Sequence, residues 1–131
     1  MLQKNYNLFI HKDLMYIWIV KQSNQLFKGS LTTILLKLLS ENEKMYGYEI
    51  TKKVMELSNG KMVLTEGALY PSLHKLEADG LLEVKMENIG NRNRKYYSLT
   101  KQGKKETGNK LKEVAAFIEQ MQQILNLKPS L

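Results

Sequence analysis

The stretch LEVKMENIGNRNRKYYSL, residues 82–99, decides the fold. Its first six residues alternate apolar and charged side chains, the period-two pattern of a strand with one buried face. Residues 88–93 are rich in Asn and Gly, which is typical of a turn. Residues 94–99 return as the partner strand, with Tyr97 and Leu99 on one face and Tyr96 and Ser98 on the other. The stretch therefore predicts a β-hairpin whose turn carries basic side chains.

Three helices are predicted before the hairpin. The second covers about residues 48–57, after a polar connector at 41–44. The third covers residues 66–79, with Thr65 as its N-cap and Gly80 just beyond its end. The first is indicated by an apolar face with helical spacing, made of Phe27, Leu31, Ile34, Leu35, Leu38 and Leu39.

A long final helix follows the hairpin, over residues 101–125. Its apolar residues recur at alternating spacings of three and four, the seam of a coiled coil: Leu111, Val114, Ile118, Met121 and Leu125. Such a seam must be covered, either by the chain's own domain or by a two-fold partner. We expect a homodimer, with Leu31, Leu35 and Leu38 of the first helix sharing its interface.

The order of elements predicts a mainly α fold with a small β-hairpin. Three helices followed by a two-stranded ribbon form a winged helix-turn-helix, whose third helix enters the DNA major groove. We expect residues 1–24 to be an N-terminal extension, 25–100 the winged helix-turn-helix domain and 101–131 a C-terminal dimerisation helix. A plain α+β protein-binding domain has the same elements but gives the basic turn no role.

The charge distribution supports the first interpretation. The 131 residues include 20 basic and 13 acidic side chains, a formal net charge of +7. All of this excess lies in residues 88–112, and the rest of the chain is neutral. A local basic patch of this kind favours a nucleic-acid partner. With no cysteine and only two histidines, the sequence offers no disulfide or thiolate chemistry, and we predict neither a metal nor a cofactor.

The longest apolar run, Leu14–Val20, is far shorter than the roughly 20 residues that span a bilayer. No small-residue cleavage site follows it, so it does not resemble a secretory signal. We expect a soluble cytoplasmic protein with no membrane partner.

Four segments resemble the PadR family of transcriptional regulators. They are YGYEI at 46–50, TEGALYPSL at 65–73, LEADGL at 76–81 and GNRNRKYYSLT at 90–100, the last followed by Gly103. Each alone is weak, but the four occur in order with compatible gaps. The resemblance implies a dimeric winged-helix DNA-binding protein, usually a repressor released by a small-molecule effector. The short C-terminal region resembles the subfamily that dimerises through one final helix.

The candidate DNA contacts fall in two groups. Opposite the apolar stripe of the third helix lies a face of mostly small residues, where His74 and Lys75 are the strongest hydrogen-bonding side chains. With few base readers, DNA shape should contribute to specificity. In the wing we expect Arg92 and Arg94 to contact the backbone or minor groove. The complete set is Tyr48, Thr65, Gly67, Tyr70, Pro71, Ser72, His74, Lys75, Arg92, Arg94 and Lys95.

Some of these residues have a structural alternative. His74 and Lys75 can be ordinary solvated side chains, and Tyr70 can be a core aromatic. Lys101, Lys104 and Lys105 open the final helix at the unfavourable end of its macrodipole, which fits a phosphate-facing role.

Three functions are weighed on this basis. The first is a dimeric, sequence-specific DNA-binding regulator acting as a repressor on an inverted repeat. The second is a winged-helix adaptor that binds proteins and no DNA. An enzyme is the poorest hypothesis, because no phosphate loop, nucleophile elbow or facing pair of catalytic carboxylates can be assembled.

Overall fold

The computed structural model describes residues 29–128. Helix α1 covers residues 29–41 and leads to the short strand β1 at Met45–Tyr46. The remaining elements are α2 at Gly47–Leu57, α3 at Glu66–Ala78, β2 at Leu82–Ile89, β3 at Arg92–Leu99 and α4 at Lys101–Leu125. This is the predicted winged-helix order with a long C-terminal helix. The N-terminal extension and Phe27 lie outside the described residues.

The sheet has three antiparallel strands in the order β1-β3-β2, one more than the hairpin predicted. Met45 pairs with Tyr97, and Tyr46 pairs with Tyr96. The sequence predicted only a polar connector between the first two helices, because a two-residue strand is too short to show a period-two pattern. With β1 added, β3 becomes the central strand.

The hairpin is also longer and its turn tighter than predicted. The β2–β3 register runs from the Leu82–Leu99 pair to the Ile89–Arg92 pair, so only residues 90–91 connect the strands. Gly90 adopts the positive φ of 65° that such a short turn requires. The basic residues predicted at the turn therefore lie on β3 itself.

The core lies between the three helices and the base of the ribbon. Its most deeply buried side chains are Leu35, Leu36, Ile50, Leu69, Leu73 and Tyr97. Burial raises the pKa of the Tyr97 hydroxyl, and the nearby Tyr70 and Glu77 add to the effect. Tyr96 lies on the opposite face of β3 from Tyr97, yet it is only 8% exposed because Tyr46 and Lys44 cover it.

Only the beginning of α4 packs into the domain. Thr100 caps the helix by accepting a hydrogen bond from the Gly103 amide at 3.0 Å, and its hydroxyl donates to the Gly80 carbonyl at 2.7 Å. Gly103 is buried so closely that a Cβ there would lie 2.1 Å from the Leu81 carbonyl oxygen. Within residues 29–128, no helix combines the length and apolar character needed to cross a bilayer.

Candidate nucleic-acid interface

Helix α3 presents the open face that its sequence predicts. The Thr65 hydroxyl oxygen accepts a hydrogen bond from the Ala68 amide at 3.3 Å, so Thr65 is the N-cap. The apolar stripe is buried in the core and consists of Leu69, Leu73 and Leu76. The opposite side is exposed and consists of Gly67, Pro71, His74, Lys75 and Ala78.

The candidate residues of α3 do not all point the same way. The Ser72 hydroxyl donates to the Ala68 carbonyl of its own helix at 3.1 Å, which engages the proton that it was expected to offer a phosphate. Lys75, near the C-terminal end of α3, lines a cavity of about 350 Å³ with Gln102, Glu106 and Lys110 of α4. Gly67, Pro71 and His74 are all exposed, and nothing lies within 4 Å of a Cβ placed on Gly67, so these three residues form an open part of α3.

Tyr70 joins α3 to the beginning of α2. Its side chain is half-buried, with its ring centroid 6.5 Å from that of His74. A Cβ on Gly47 would lie 2.6 Å from the Tyr70 hydroxyl oxygen, so glycine allows the two helices to approach here. Tyr70 thus packs between the helices while remaining beside the exposed His74, and its contact with DNA stays a prediction.

The N-terminus of α2 lies next to this contact. Tyr48 is 66% exposed, and its ring stacks beside Tyr46 with centroids 6.4 Å apart. Tyr46 occupies the N-cap position but supplies no side-chain hydrogen bond to the helix amides. Those amides and the Tyr48 hydroxyl are groups that can bind a phosphate at a helix N-terminus.

The wing carries its basic residues on both faces of the ribbon. Arg92 and Arg94 are two residues apart on β3 and share one face, whereas Lys95 belongs to the other. The Arg94 guanidinium lies over the Tyr46 ring at 4.4 Å, and Arg92 is exposed. Arg92 and Arg94 can therefore contact one DNA strand together, while Lys95 faces a different direction.

A second cation lies at the base of the wing and was missed by the sequence analysis. Lys44 Nζ donates a hydrogen bond to the Glu87 carboxylate, and this bond raises the pKa of the lysine. The same ammonium lies 4.9 Å from the centre of the Tyr96 ring. No periodic pattern connects these residues, because Lys44 and Glu87 are 43 positions apart.

Most of the basic patch at residues 88–112 remains unneutralised, and within residues 29–128 Lys110 is its one member with an ion pair. Ion pairs within residues 29–128 join Lys37 to Glu41, Lys44 to Glu87 and Lys110 to Glu113. Within the same range, no carboxylate lies within 4 Å of the charged groups of Arg92, Arg94, Lys95, Lys101, Lys104 or Lys105. These six cations are available to an anionic partner.

The seam of α4 is incompletely covered by its own chain. Leu111 and Val114 are half-buried at a largely apolar cavity of about 360 Å³ formed with α1 and α2. Further along, Ile118 is 50% exposed and Leu125 is 53% exposed.

The three leucines of α1 were expected at a dimer interface, but the structure places them elsewhere. Leu31, Leu35 and Leu38 are 2%, 0% and 3% exposed in the chain's own core. Their apolar face covers the domain interior, which leaves almost no surface for a second subunit to bury. We therefore leave them out of any proposed interface.

Comparison with known proteins agrees with this architecture. Residues 35–109 match the family described as the transcriptional regulator PadR-like family. The chain belongs to the PadR family. This confirms the resemblance seen in the sequence and makes the protein a transcriptional regulator rather than an enzyme.

Individual PadR-like relatives show how far the similarity extends. The transcriptional regulator YqjI of Escherichia coli is 32% identical over 75 residues, which are 57% of this chain and 34% of that protein. A transcriptional regulator from Clostridium thermocellum is 29% identical with a TM-score of 0.67, covering 78% of this chain and 95% of its own. A PadR family regulator from Clostridium difficile is 33% identical with a TM-score of 0.64, covering 73% and 98%.

Proposed function

We propose that this PadR-like regulator is a homodimeric repressor that binds an inverted repeat in double-stranded DNA and is released by a small-molecule effector. The observation that carries the proposal is the set of six unpaired cations on the wing and the start of α4. Duplex DNA is the anionic partner that a winged helix accommodates, with the third helix in the major groove and the wing beside it.

The two parts of the interface have different tasks. The open part of α3 inserts into the major groove, where Gly67 and Pro71 permit a close approach and His74 reads a base edge. Arg92 and Arg94 contact the backbone or a narrow minor groove beside it. Because α3 offers few side chains for direct readout, the shape of the DNA supplies part of the specificity.

The dimer follows from the outer part of α4. A coiled-coil seam that is half exposed in one chain is covered when a second copy packs against it. The interface then consists of Leu111, Val114, Ile118, Met121 and Leu125. Two-fold symmetry repeats the wing and α3, which fits an inverted repeat. Repression and release by an effector rest on the membership of the PadR family.

The decisive experiment is selection of bound sequences from random duplex DNA, followed by titration of a selected duplex at several salt concentrations. If roughly four phosphates are neutralised per subunit, the log-log salt slope should be about −7. Enrichment of an inverted repeat with this slope supports the proposal. No enrichment favours the adaptor hypothesis, and a flat salt response contradicts the phosphate-binding role of the cations.

Paired variants locate the contact on the wing. Changing Arg92→Ala and Arg94→Ala together removes four cations per dimer, so the slope should fall in magnitude by about four. The matched control is Lys112→Ala with Lys128→Ala, which removes the same charge from exposed positions near and beyond the outer part of α4. Equal effects of the two pairs would mean that overall charge, not the wing, determines binding.

A further inference from the structure

Arg94 has a carboxylate directly opposite but does not pair with it. Glu87 and Arg94 face each other in the β2–β3 register, a position where opposite charges usually attract. Yet the Glu87 carboxylate accepts a hydrogen bond from Lys44, and within residues 29–128 Arg94 has no carboxylate within 4 Å. Lys44, which lies outside the ribbon, thus pairs with the Glu87 carboxylate that would otherwise neutralise Arg94.

Lys44 is held in this position by two contacts. Its ammonium bonds Glu87 and lies over the Tyr96 ring, so both a charge and an aromatic face favour its present location. Tyr96 in turn packs edge-on against Tyr46, with centroids 5.5 Å apart.

Tyr46 supports the other cation. The Arg94 guanidinium carbon lies over its ring, 4.4 Å from the ring centre. A ring face attracts the positive charge without offering a carboxylate that would take up the N–H donors, so the fork that binds a phosphate stays available. An arginine paired with Glu87 would instead have its donors engaged and its charge neutralised.

We propose that Tyr46 and Lys44 are positioning residues for the wing, which hold Arg94 as an unpaired guanidinium aimed at a DNA phosphate. Tyr46 supports the guanidinium through its ring, and Lys44 pairs with the Glu87 carboxylate. This inference rests on the proposed DNA-binding function. It also assigns Lys44 a role without DNA contact, although it is a cation near the interface.

The first test measures the effect of Lys44→Ala on DNA affinity in two backgrounds, wild type and Glu87→Gln. Its probe is a duplex recovered by the selection above, titrated at fixed salt by fluorescence anisotropy. Lys44→Ala should weaken binding about threefold, the scale of an exposed ion pair that Arg94 can then form with Glu87. In a Glu87→Gln background no carboxylate remains to capture the arginine, so adding Lys44→Ala should change affinity little. An equal loss in both backgrounds overturns the role of Lys44 and indicates direct contact.

The second test concerns Tyr46. Tyr46→Leu should weaken binding about threefold because the stacked guanidinium loses its support, and Tyr46→Phe should retain wild-type affinity because the ring remains. In an Arg94→Ala background Tyr46→Leu should have no further effect. In the matched Arg92→Ala background the full loss should persist, since Arg92 has no contact with this ring.

These outcomes separate this inference from the proposed function. If the wild-type protein shows no salt-dependent duplex binding, the DNA-binding proposal fails and this inference fails with it. If the wild-type protein binds but Tyr46→Leu costs the same with and without Arg94, only the positioning role is overturned.

Discussion

The replacement Gly103→Ala should destabilise the fold, although alanine is the better helix former. Gly103 lies in the first turn of α4, where a Cβ would be 2.1 Å from the Leu81 carbonyl oxygen and 3.2 Å from a Leu99 methyl group. Cβ atoms essentially never come closer than 3.0 Å, so the backbone must separate by about 0.9 Å. The Leu81 carbonyl also accepts a hydrogen bond from the Thr100 amide at 3.0 Å, which this separation disturbs.

The size of the effect is a difference between two terms. Overpacking of a tight contact costs about 1–3 kcal/mol, and here the neighbour is backbone that cannot rotate away. The gain from replacing glycine by alanine in a helix is at most about 1 kcal/mol. We therefore expect the free energy of unfolding to fall by about 2 kcal/mol.

Gly108 is the matched control, because it is exposed on the same helix and no atom lies within 4 Å of a Cβ there. Gly108→Ala should raise the free energy of unfolding by about 0.5–1 kcal/mol. Urea unfolding followed by circular dichroism measures both variants, at one protomer concentration because a dimer's stability depends on it. A Gly103→Ala protein as stable as Gly108→Ala would refute the close packing of α4 on Leu81.

Three further predictions use the same structure. Thr65→Ala should lower the free energy of unfolding by about 1 kcal/mol through loss of the cap, whereas Thr65→Ser should retain it; equal losses in urea would contradict the capping role. The pKa of Tyr97 is raised above 10.0 in the folded state, so its contribution to the free energy of unfolding is complete below that pH and is lost as the pH rises toward the folded pKa. Tyr97→Phe should reduce this alkaline loss in urea unfolding at several pH values. An unchanged dependence of stability on pH would count against the assignment. Ile118→Asp should yield monomers in light scattering, and Ala116→Asp, on the opposite side of α4, should remain dimeric; two dimers would argue against the seam.

The local elements could be predicted because their signals are local. The stripe of Leu69, Leu73 and Leu76 and the Thr65 cap occupy consecutive turns, so spacing and side-chain chemistry determine α3. The extent of α4 follows in the same way, from a seam that continues to Leu125.

What the sequence could not show depends on distant contacts. Strand β1 exists because Met45 and Tyr46 pair with residues about fifty positions later, and two residues carry no period of their own. That pairing also buries Tyr96, on the opposite face of β3 from Tyr97, through the edge-on contact with Tyr46. Lys44 directly precedes β1, so the same strand pairing brings it to Glu87 on the ribbon, and the ion pair could not be predicted for the same reason.

The error about α1 has a different cause. Helical periodicity identifies an apolar face but does not say which surface covers it. The face containing Leu31, Leu35 and Leu38 satisfies the same pattern whether it lies in a core or at an interface. In α4 the same kind of pattern leaves Ile118 half exposed in the single chain, which supports the proposed interface without testing it.

The two halves of α4 have opposite electrostatic and packing characters, and this links DNA binding to assembly. Lys101, Lys104 and Lys105 stand at the positive end of the helix macrodipole with no acid in the first turn, an arrangement that costs stability. A phosphate bound beside these lysines would attract both the lysines and the positive end of the helix dipole, and so offset that cost. The outer half carries the apolar seam through which we propose that two chains associate. Because Gly103 fixes the helix against the base of the wing, the angle at which two α4 helices cross in the proposed dimer would determine the separation of the two wings. That separation would in turn set the spacing of the half-sites that the dimer can bind.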